Sequence, residues 1–373
     1  MRDTGPVNIK HTLLMVGKFG NHAKATPQIC TDLASRLESS GWTVLTTSDK
    51  AKRLPLLLDM LATLSRQRCN YEVAHVDVFS GLAFVWAEAV CIALRLLAKP
   101  YILTLHGGNL PAFARRWPRR VQNLLGSAVM VTTPSHYLRE QMKDYRGDLV
   151  FQPNPIDLTA YDFQLRSRPR PKLVWLRRFC EIYNPTLAPK VVALLAKDFP
   201  QLDLTMIGPD WGDGSLLRTQ SVATDLGVWK RIRLFGRVAK WAVSRSLNEG
   251  DIFLNTTNFD NTPISVLEAM ACGLCIVSTN VGGLPYLLEH ERDALLVPPD
   301  NPPLMAQAVQ RILSEPGLAA FLSSNARRKA EQFDWSLILP RWEQLLARAI
   351  TGKADAEMAK PVGSRNSHAG MNC

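Results

Sequence analysis

The chain has 373 residues, 46% of them hydrophobic, which implies two globular domains and excludes a disordered or fibrous protein. The formal net charge of +11 is unevenly spread, with 13 Lys and Arg against 5 Asp and Glu from Tyr101 to Arg178, and one Arg against seven acids from Asp251 to Asp300. A basic region beside an acidic one favours anionic partners such as phosphates or anionic lipid; no nucleic-acid module accompanies it, so nucleic acid is not an expected partner.

Met1 to Lys10 is polar and the first apolar run, Leu13–Val16, is only a strand's length, so no secretory leader is read there. The first half then alternates between strands and helices. The predicted strands are 13–19, 42–48, 71–79, 101–106, 129–133 and 149–152, with helical spacing over 26–40, 56–69, 82–99, 112–127 and 135–145. Thr26-Pro27 has the form of a helix start, with a capping hydroxyl and proline at the first helical position. Leu82–Ala98 is the longest apolar stretch, but Glu88 and Arg95 interrupt it, so it reads as a buried helix and not as a membrane span. Arg115-Arg-Trp-Pro-Arg-Arg120 gives a helix a cationic surface with one aromatic anchor. That composition suits either an anionic lipid surface, contacted through Arg115, Arg116, Trp117, Arg119 and Arg120, or a plain solvated face.

Arg166-Ser-Arg-Pro-Arg-Pro171 reads as a linker. A second alternating series follows, with strands at 173–175, 202–207, 232–235, 252–255, 275–278 and 295–297. The expected fold is therefore α/β, two Rossmann-like, doubly wound parallel-sheet domains facing each other across a cleft. The expected spans are 1–165 and 166–332, with a final helix over 333–350 kinked by Pro340 and a disordered tail over 351–373. Seven scattered cysteines suggest reduced thiols in the cytoplasm. The lone Cys272-x-x-Cys275 pair reads as core packing, not as a metal site.

Five stretches carry the chemistry. In Asn255-Thr-Thr-Asn-Phe-Asp-Asn-Thr-Pro-Ile-Ser-Val-Leu-Glu-Ala-Met-Ala-Cys-Gly273 a strand ends, a loop follows, and a helix runs from Pro263 to about Cys272 with Gly273 as its stop. The free N–H groups of Ile264 and Ser265 would form a phosphate site at the sheet's C-terminal edge. Asp260 before the helix and Glu268 within it can accept hydrogen bonds from sugar hydroxyls. Read without context, they are a capping Asp and a surface Glu. In Leu173-Val-Trp-Leu-Arg-Arg178, two arginines at a strand end suit a diphosphate, or form a solvated pair at a domain edge. Leu105-His-Gly-Gly108 ends another strand, where the glycines permit close approach. Gly17 and Gly20 form a loose glycine loop after the first strand, and Gly236-Arg-Val238 follows a strand of the second half.

The 255–273 stretch resembles the E-x(7)-E region of family 4 retaining glycosyltransferases, which have the GT-B fold. The likeness continues through Ile276-Val-Ser-Thr-Asn-Val-Gly-Gly283 and Asp293-Ala-Leu-Leu-Val-Pro-Pro-Asp300 and spans about residues 11 to 350. The resemblance implies a nucleotide-sugar donor, retention at the anomeric carbon, and neither metal nor other cofactor. It gives Glu268 the ribose hydroxyls and Asp260 the donor sugar, with Asn261, Thr262, Ile264 and Ser265 beside them. It gives His106 a place facing the sugar, and Gly236 and Val238 the base. Gly17 and Gly20 would line the phosphate and acceptor side. Laid on the family's Gly-Arg-Leu strand end, Arg177 takes the Gly place and Arg178 the Arg place, so Arg178 is favoured for the diphosphate with Arg177 as its rival. Three departures stand out: Asp260 replaces a Glu, Pro263 replaces a common Gly, and the clamp Lys falls at Tyr183. The implied protein is a cytoplasmic hexosyltransferase; the Arg115–Arg120 stretch, if it is not a plain solvated face, would add peripheral contact to the inner membrane face. Its acceptor would be a glycan, a lipid-linked molecule or a small molecule. The competing readings are an epimerase or phosphorylase on the same fold, or a homologue that binds a nucleotide sugar without turnover. A phosphorylase would need a pyridoxal-bearing Lys, for which no lysine of the second half has a suggestive context.

Overall fold

The computed structural model describes residues 11–19, 28–50 and 52–352. It contains two six-stranded, all-parallel sheets. The first comprises β1 (Thr12–Lys18), β2 (Thr43–Ser48), β3 (Val73–Val78), β4 (Tyr101–Leu105), β5 (Met130–Thr133) and β6 (Val150–Phe151), in the order β2-β1-β3-β4-β5-β6. The second comprises β7 (Lys172–Leu176), β8 (Asp203–Ile207), β9 (Ile232–Phe235), β10 (Ile252–Asn255), β11 (Cys275–Thr279) and β12 (Leu295–Val297), in the order β12-β11-β10-β7-β8-β9.

Both sheets are covered on two faces, which is why their strands read as apolar runs and not as alternating ones. In β1, Leu14 and Val16 join one core cluster while Leu13 and Met15 join another across the sheet. In β7, Leu173 and Trp175 face one cluster and Val174 the other. Chain order reverses between β1 and β3 in the first sheet and between β7 and β10 in the second. Such switch points open a crevice beyond the strands' C-terminal ends, and the candidate residues fall at these ends.

The last helix, Trp335–Thr351, packs Trp335, Ile338, Trp342, Leu345 and Leu346 against Leu13, Met15, Leu37 and Ile102 of the first domain. The chain thus crosses between domains twice. The crossings pair with each other, Ile156 N–H donating to Phe333 O at 2.8 Å and Trp335 N–H to Ile156 O at 3.1 Å.

Several expectations need correction. The helix expected over 112–127 is two, Leu110–Arg116 and Pro118–Gly126; Pro118 drives Trp117 out of helical geometry, to φ −131° and ψ 56°. Leu82–Leu96 buries one face only, since Leu82, Val85, Ile92 and Leu96 are exposed. The 166–171 stretch is no slack linker: Arg166 is buried beside Asp251 and donates to Asn248 Oδ1 at 2.7 Å, and Arg170 clamps Asp251 with two bonds of 2.9 Å. Gly20, Thr26 and Pro27, and most of the expected tail lie outside the described residues. Among the described residues no helix is long and apolar enough to cross a membrane.

Candidate functional site

The crevice of the second domain is built by β7, β10 and the loop after β10. Trp175 at the end of β7 donates its indole N–H to Thr256 Oγ1 at 2.9 Å, and Thr256 donates to Tyr183 O at 2.7 Å. These bonds tie the 181–183 turn to the 256–260 loop. Arg177 leaves β7 into this corner, where it pairs with Asp260 and lies over the Tyr183 ring at 4.6 Å. Arg178 is exposed and rests on Trp211 at 4.5 Å. Of the two arginines it is Arg177, not Arg178, that the structure brings to Asp260. Tyr183, at the position where the resemblance places a lysine, instead lies under the Arg177 guanidinium.

The loop then enters the helix Ile264–Ala271. Pro263 is its N-cap, not its first helical residue, at φ −70° and ψ 118°. Gly273 ends the helix at φ +76°, with Leu274 N–H donating to Ala269 O and Gly273 N–H to Met270 O, both at 3.0 Å. This is a Schellman stop, which places a left-handed residue where only glycine is unstrained. At the other end, neither the Ile264 nor the Ser265 N–H has an acceptor among the described residues. Three buried polar atoms in the same corner, Arg177 Nε, Asn261 Oδ1 and Ser265 Oγ, also lack a partner. Buried polar groups are nearly always satisfied, so this corner has the character of a site that a polar ligand completes.

Glu268 lies one turn into the helix and lines a cavity of about 580 Å³ between the domains. The second domain supplies Arg237, Val238 and Lys240, and the first domain's side supplies Asp32, Asp157 and Trp335. Lys240 reaches across to Asp32 at 2.7 Å. Tyr161 donates its hydroxyl to Glu268 Oε1 at 2.8 Å. Burial pushes the Glu268 carboxyl above its ordinary value, against the pull of Tyr161, Lys240 and Arg177. Burial and the Glu268 charge raise the Tyr161 phenol, so Tyr161 stays a neutral donor. One carboxylate oxygen is held and the other remains for a ligand's hydroxyls.

Across the cleft, His106 follows β4. Its Nε2 bonds Asp77 Oδ1 at 2.9 Å, and its ring stacks on Phe79 with centroids 5.1 Å apart. Burial alone would raise the Asp77 carboxyl, but the adjacent His106, with His75 and the Cys30 thiol, holds it far below the carboxylate range. Asp77 is thus an anion that fixes the imidazole's orientation. Two residues on, Gly108 receives the Phe259 ring of the opposite domain: a Cβ built at Gly108 would lie 2.0 Å from that ring. Phe259 also meets Tyr137 edge-on at 5.5 Å.

The other candidates divide. Ile264 and Val238 line the Glu268 cavity. Gly236 is exposed, with open space where a Cβ would point. Thr262 donates to Pro134 O of the first domain at 3.1 Å and does not line that cavity. Gly17 lies inside β1 instead of a loop, its N–H on Thr47 Oγ1 at 3.1 Å. Of the basic stretch, Arg120 is committed to Glu88 through bonds of 3.0 and 2.5 Å, while Arg115, Arg116, Trp117 and Arg119 are exposed. Asp77, Tyr161, Phe259 and Lys240 escape sequence reasoning because each meets its partner only through the fold.

Two Rossmann-like parallel sheets facing each other across such a cleft define the GT-B fold. Solved structures agree. A sucrose-phosphate synthase from Thermosynechococcus elongatus superposes with a TM-score of 0.76 at 18% identity, covering 92% of this chain and 100% of that one. Anabaena Alr3699/HepE in complex with UDP and glucose gives 0.73 at 18% identity, covering 90% and 99%. Residues 170–315 match the sequence model of the Glycosyl transferases group 1 family. The chain is 25% identical over 286 residues to a D-inositol 3-phosphate glycosyltransferase of Streptomyces bingchenggensis, a match spanning 72% of this chain but only 63% of that relative. Over residues 170–315 the chain is thus similar to group 1 glycosyltransferases, and its fold is the GT-B fold of its structural neighbours.

Proposed function

We propose that the chain transfers a hexose from a nucleoside-diphosphate sugar to a hydroxyl acceptor with retention of anomeric configuration. The observation that carries this reading is the half-satisfied Glu268 at the back of the interdomain cavity, one turn below a helix start with unbonded N–H groups. Glu268 would hold the ribose. The Ile264 and Ser265 N–H groups and Arg177 would hold the diphosphate, and Asp260 and His106 would face the sugar from opposite domains. The anomeric C–O bond to the diphosphate breaks, the acceptor oxygen bonds the same carbon from the same face, and the acceptor proton passes to the departing phosphate oxygen. The protein orients the two partners and stabilises the growing phosphate charge; no protein nucleophile and no metal is assigned a part. Exposed Arg115, Arg116, Trp117 and Arg119 would give peripheral contact with an anionic membrane surface, which fits a cytoplasmic enzyme acting on a glycan or a lipid-linked acceptor. UDP and glucose bound to the Anabaena neighbour make uridine donors the first choice.

A second reading, a homologue that binds without turnover, draws on the Arg177–Asp260 pair, which neutralises the acid assigned to the sugar. Incubation with a panel of nucleotide sugars, following nucleoside diphosphate release, separates the two. Slow donor hydrolysis supports the enzyme, and NMR of a transferred product reads its configuration. Saturable binding without release supports the second reading, and absence of binding refutes both.

A further inference from the structure

A second interdomain cavity, of about 230 Å³, lies apart from the Glu268 cavity and shares no lining residue with it. The crossing segments give Pro153 and Phe333 to this cavity and Ile156, Asp157 and Trp335 to the other, so the paired crossings form the wall between them.

Its charge is one-sided. His136 and Arg139, one helical turn apart, enter from the first domain, Arg341 from the final helix, and Lys329 from the preceding helix Leu318–Glu331. Among the described residues no carboxylate lines the cavity. Lys329 is neutralised by the buried Asp293. Among the described residues, neither Arg139 nor Arg341 has an acidic partner; Arg341 donates only to Phe151 O at 2.9 Å. The His136 ring stacks on Phe151 with centroids 3.6 Å apart. Burial, then repulsion by Arg139 and Arg341, holds His136 below its ordinary value, so the three groups feel one another. Half-buried guanidinium groups without counter-ions are costly unless an anion joins them. The Phe151, Tyr286 and Phe333 rings offer a short apolar wall beside the charges.

We propose that this cavity is a binding site for a small phosphomonoester, its phosphate held by Arg139, Arg341 and His136 and its organic part set against Phe151 and Tyr286. Because the first domain, the second domain and the final helix all contribute walls, an occupant bridges both domains. The volume suits a phosphate with a few carbon atoms. Glycerol 3-phosphate is therefore the probe.

Calorimetric titration of glycerol 3-phosphate into the full chain tests the site, in the parent, Arg139→Ala, His136→Asn and Glu268→Ala. Arg139 is partly exposed and unpaired in the described residues, so its truncation leaves the fold intact, as the unliganded melting temperature checks. Losing one charge-assisted bond predicts affinity weakened about tenfold or more in Arg139→Ala, a smaller loss in His136→Asn, and none in Glu268→Ala. UDP binding should be unchanged in Arg139→Ala. Equal affinity in all four proteins overturns the proposal. Loss in Glu268→Ala with retention in Arg139→Ala also overturns it, by placing the phosphate in the donor cavity. Vesicles carrying phosphatidate form a second arm: binding to them in an Arg139-dependent way, with no binding of the free ester, would refute a soluble ligand.

Discussion

Gly108→Ala perturbs the contact between domains without touching a charged group. The added Cβ would lie 2.0, 2.7 and 2.9 Å from three carbons of the Phe259 ring. Non-bonded carbons settle near 3.5 Å, so the ring or its whole domain must retreat by about 1.5 Å. The Phe259 backbone is tied to Thr257 Oγ1 by bonds of 3.2 and 2.8 Å, and the adjacent Asn258 N–H donates to Ile182 O at 2.8 Å, which holds the loop to the 181–183 turn. Overpacking of this kind costs roughly 1–3 kcal/mol. Taken at about 2 kcal/mol and charged wholly to the closed arrangement of the domains, it lowers kcat/KM about 30-fold. Donor turnover gives the rate, and small-angle scattering should show a larger radius of gyration. Phe259→Ala in the same chain removes the obstacle and should restore most of the loss. A Gly108→Ala protein as active as its parent would refute the reasoning, as would a double variant no better than the single one.

Gly273→Ala forces a left-handed Cβ to within 2.6 Å of Gln164 O and should cost about 2–4 kcal/mol, seen as a lower melting temperature. Glu268→Gln should stabilise the unliganded protein at pH 7–8. The folded carboxyl titrates above its ordinary 4.5, so stability present below that value is lost as pH rises through the folded one, and an uncharged isostere escapes the loss. The gain should vanish near pH 4 in parallel thermal melts, and an equal gain at every pH would contradict the assigned cause. Asp77→Asn breaks a largely buried pair and should cost about 3 kcal/mol at pH 7. The Asp77 contribution exists above its ordinary 3.8 and fades only in stronger acid, since the folded carboxyl titrates lower. Its turnover should also fall, because His106 loses the anion that orients it.

All twelve strands are legible in the sequence because parallel, doubly covered strands must be apolar along their length. Val174 and Phe253, on opposite sheet faces from their neighbours, are as buried as Leu173 and Ile252. The Glu268 helix was legible through its start at Pro263 and its stop at Gly273. What the sequence hides is long-range pairing. Tyr161 and Glu268 are 107 positions apart, and Lys240 and Asp32 are 208 apart. The choice between Arg177 and Arg178 was hidden for a related reason. Adjacent residues leaving a strand diverge, and only the position of β10 beside β7 decides which one meets Asp260. Arg166 misled because a Pro-rich, polar sequence signals a linker, whereas here the guanidinium is drawn under the sheet by Asp251.

The most direct test of the central claim is calorimetric titration of UDP into the parent and Glu268→Ala proteins. Loss of the ribose contacts of one buried carboxylate, at about 1.5–3 kcal/mol for each charged hydrogen bond, predicts affinity weakened by tenfold to more than a hundredfold in a variant that remains folded. Unchanged UDP affinity in Glu268→Ala would contradict the account.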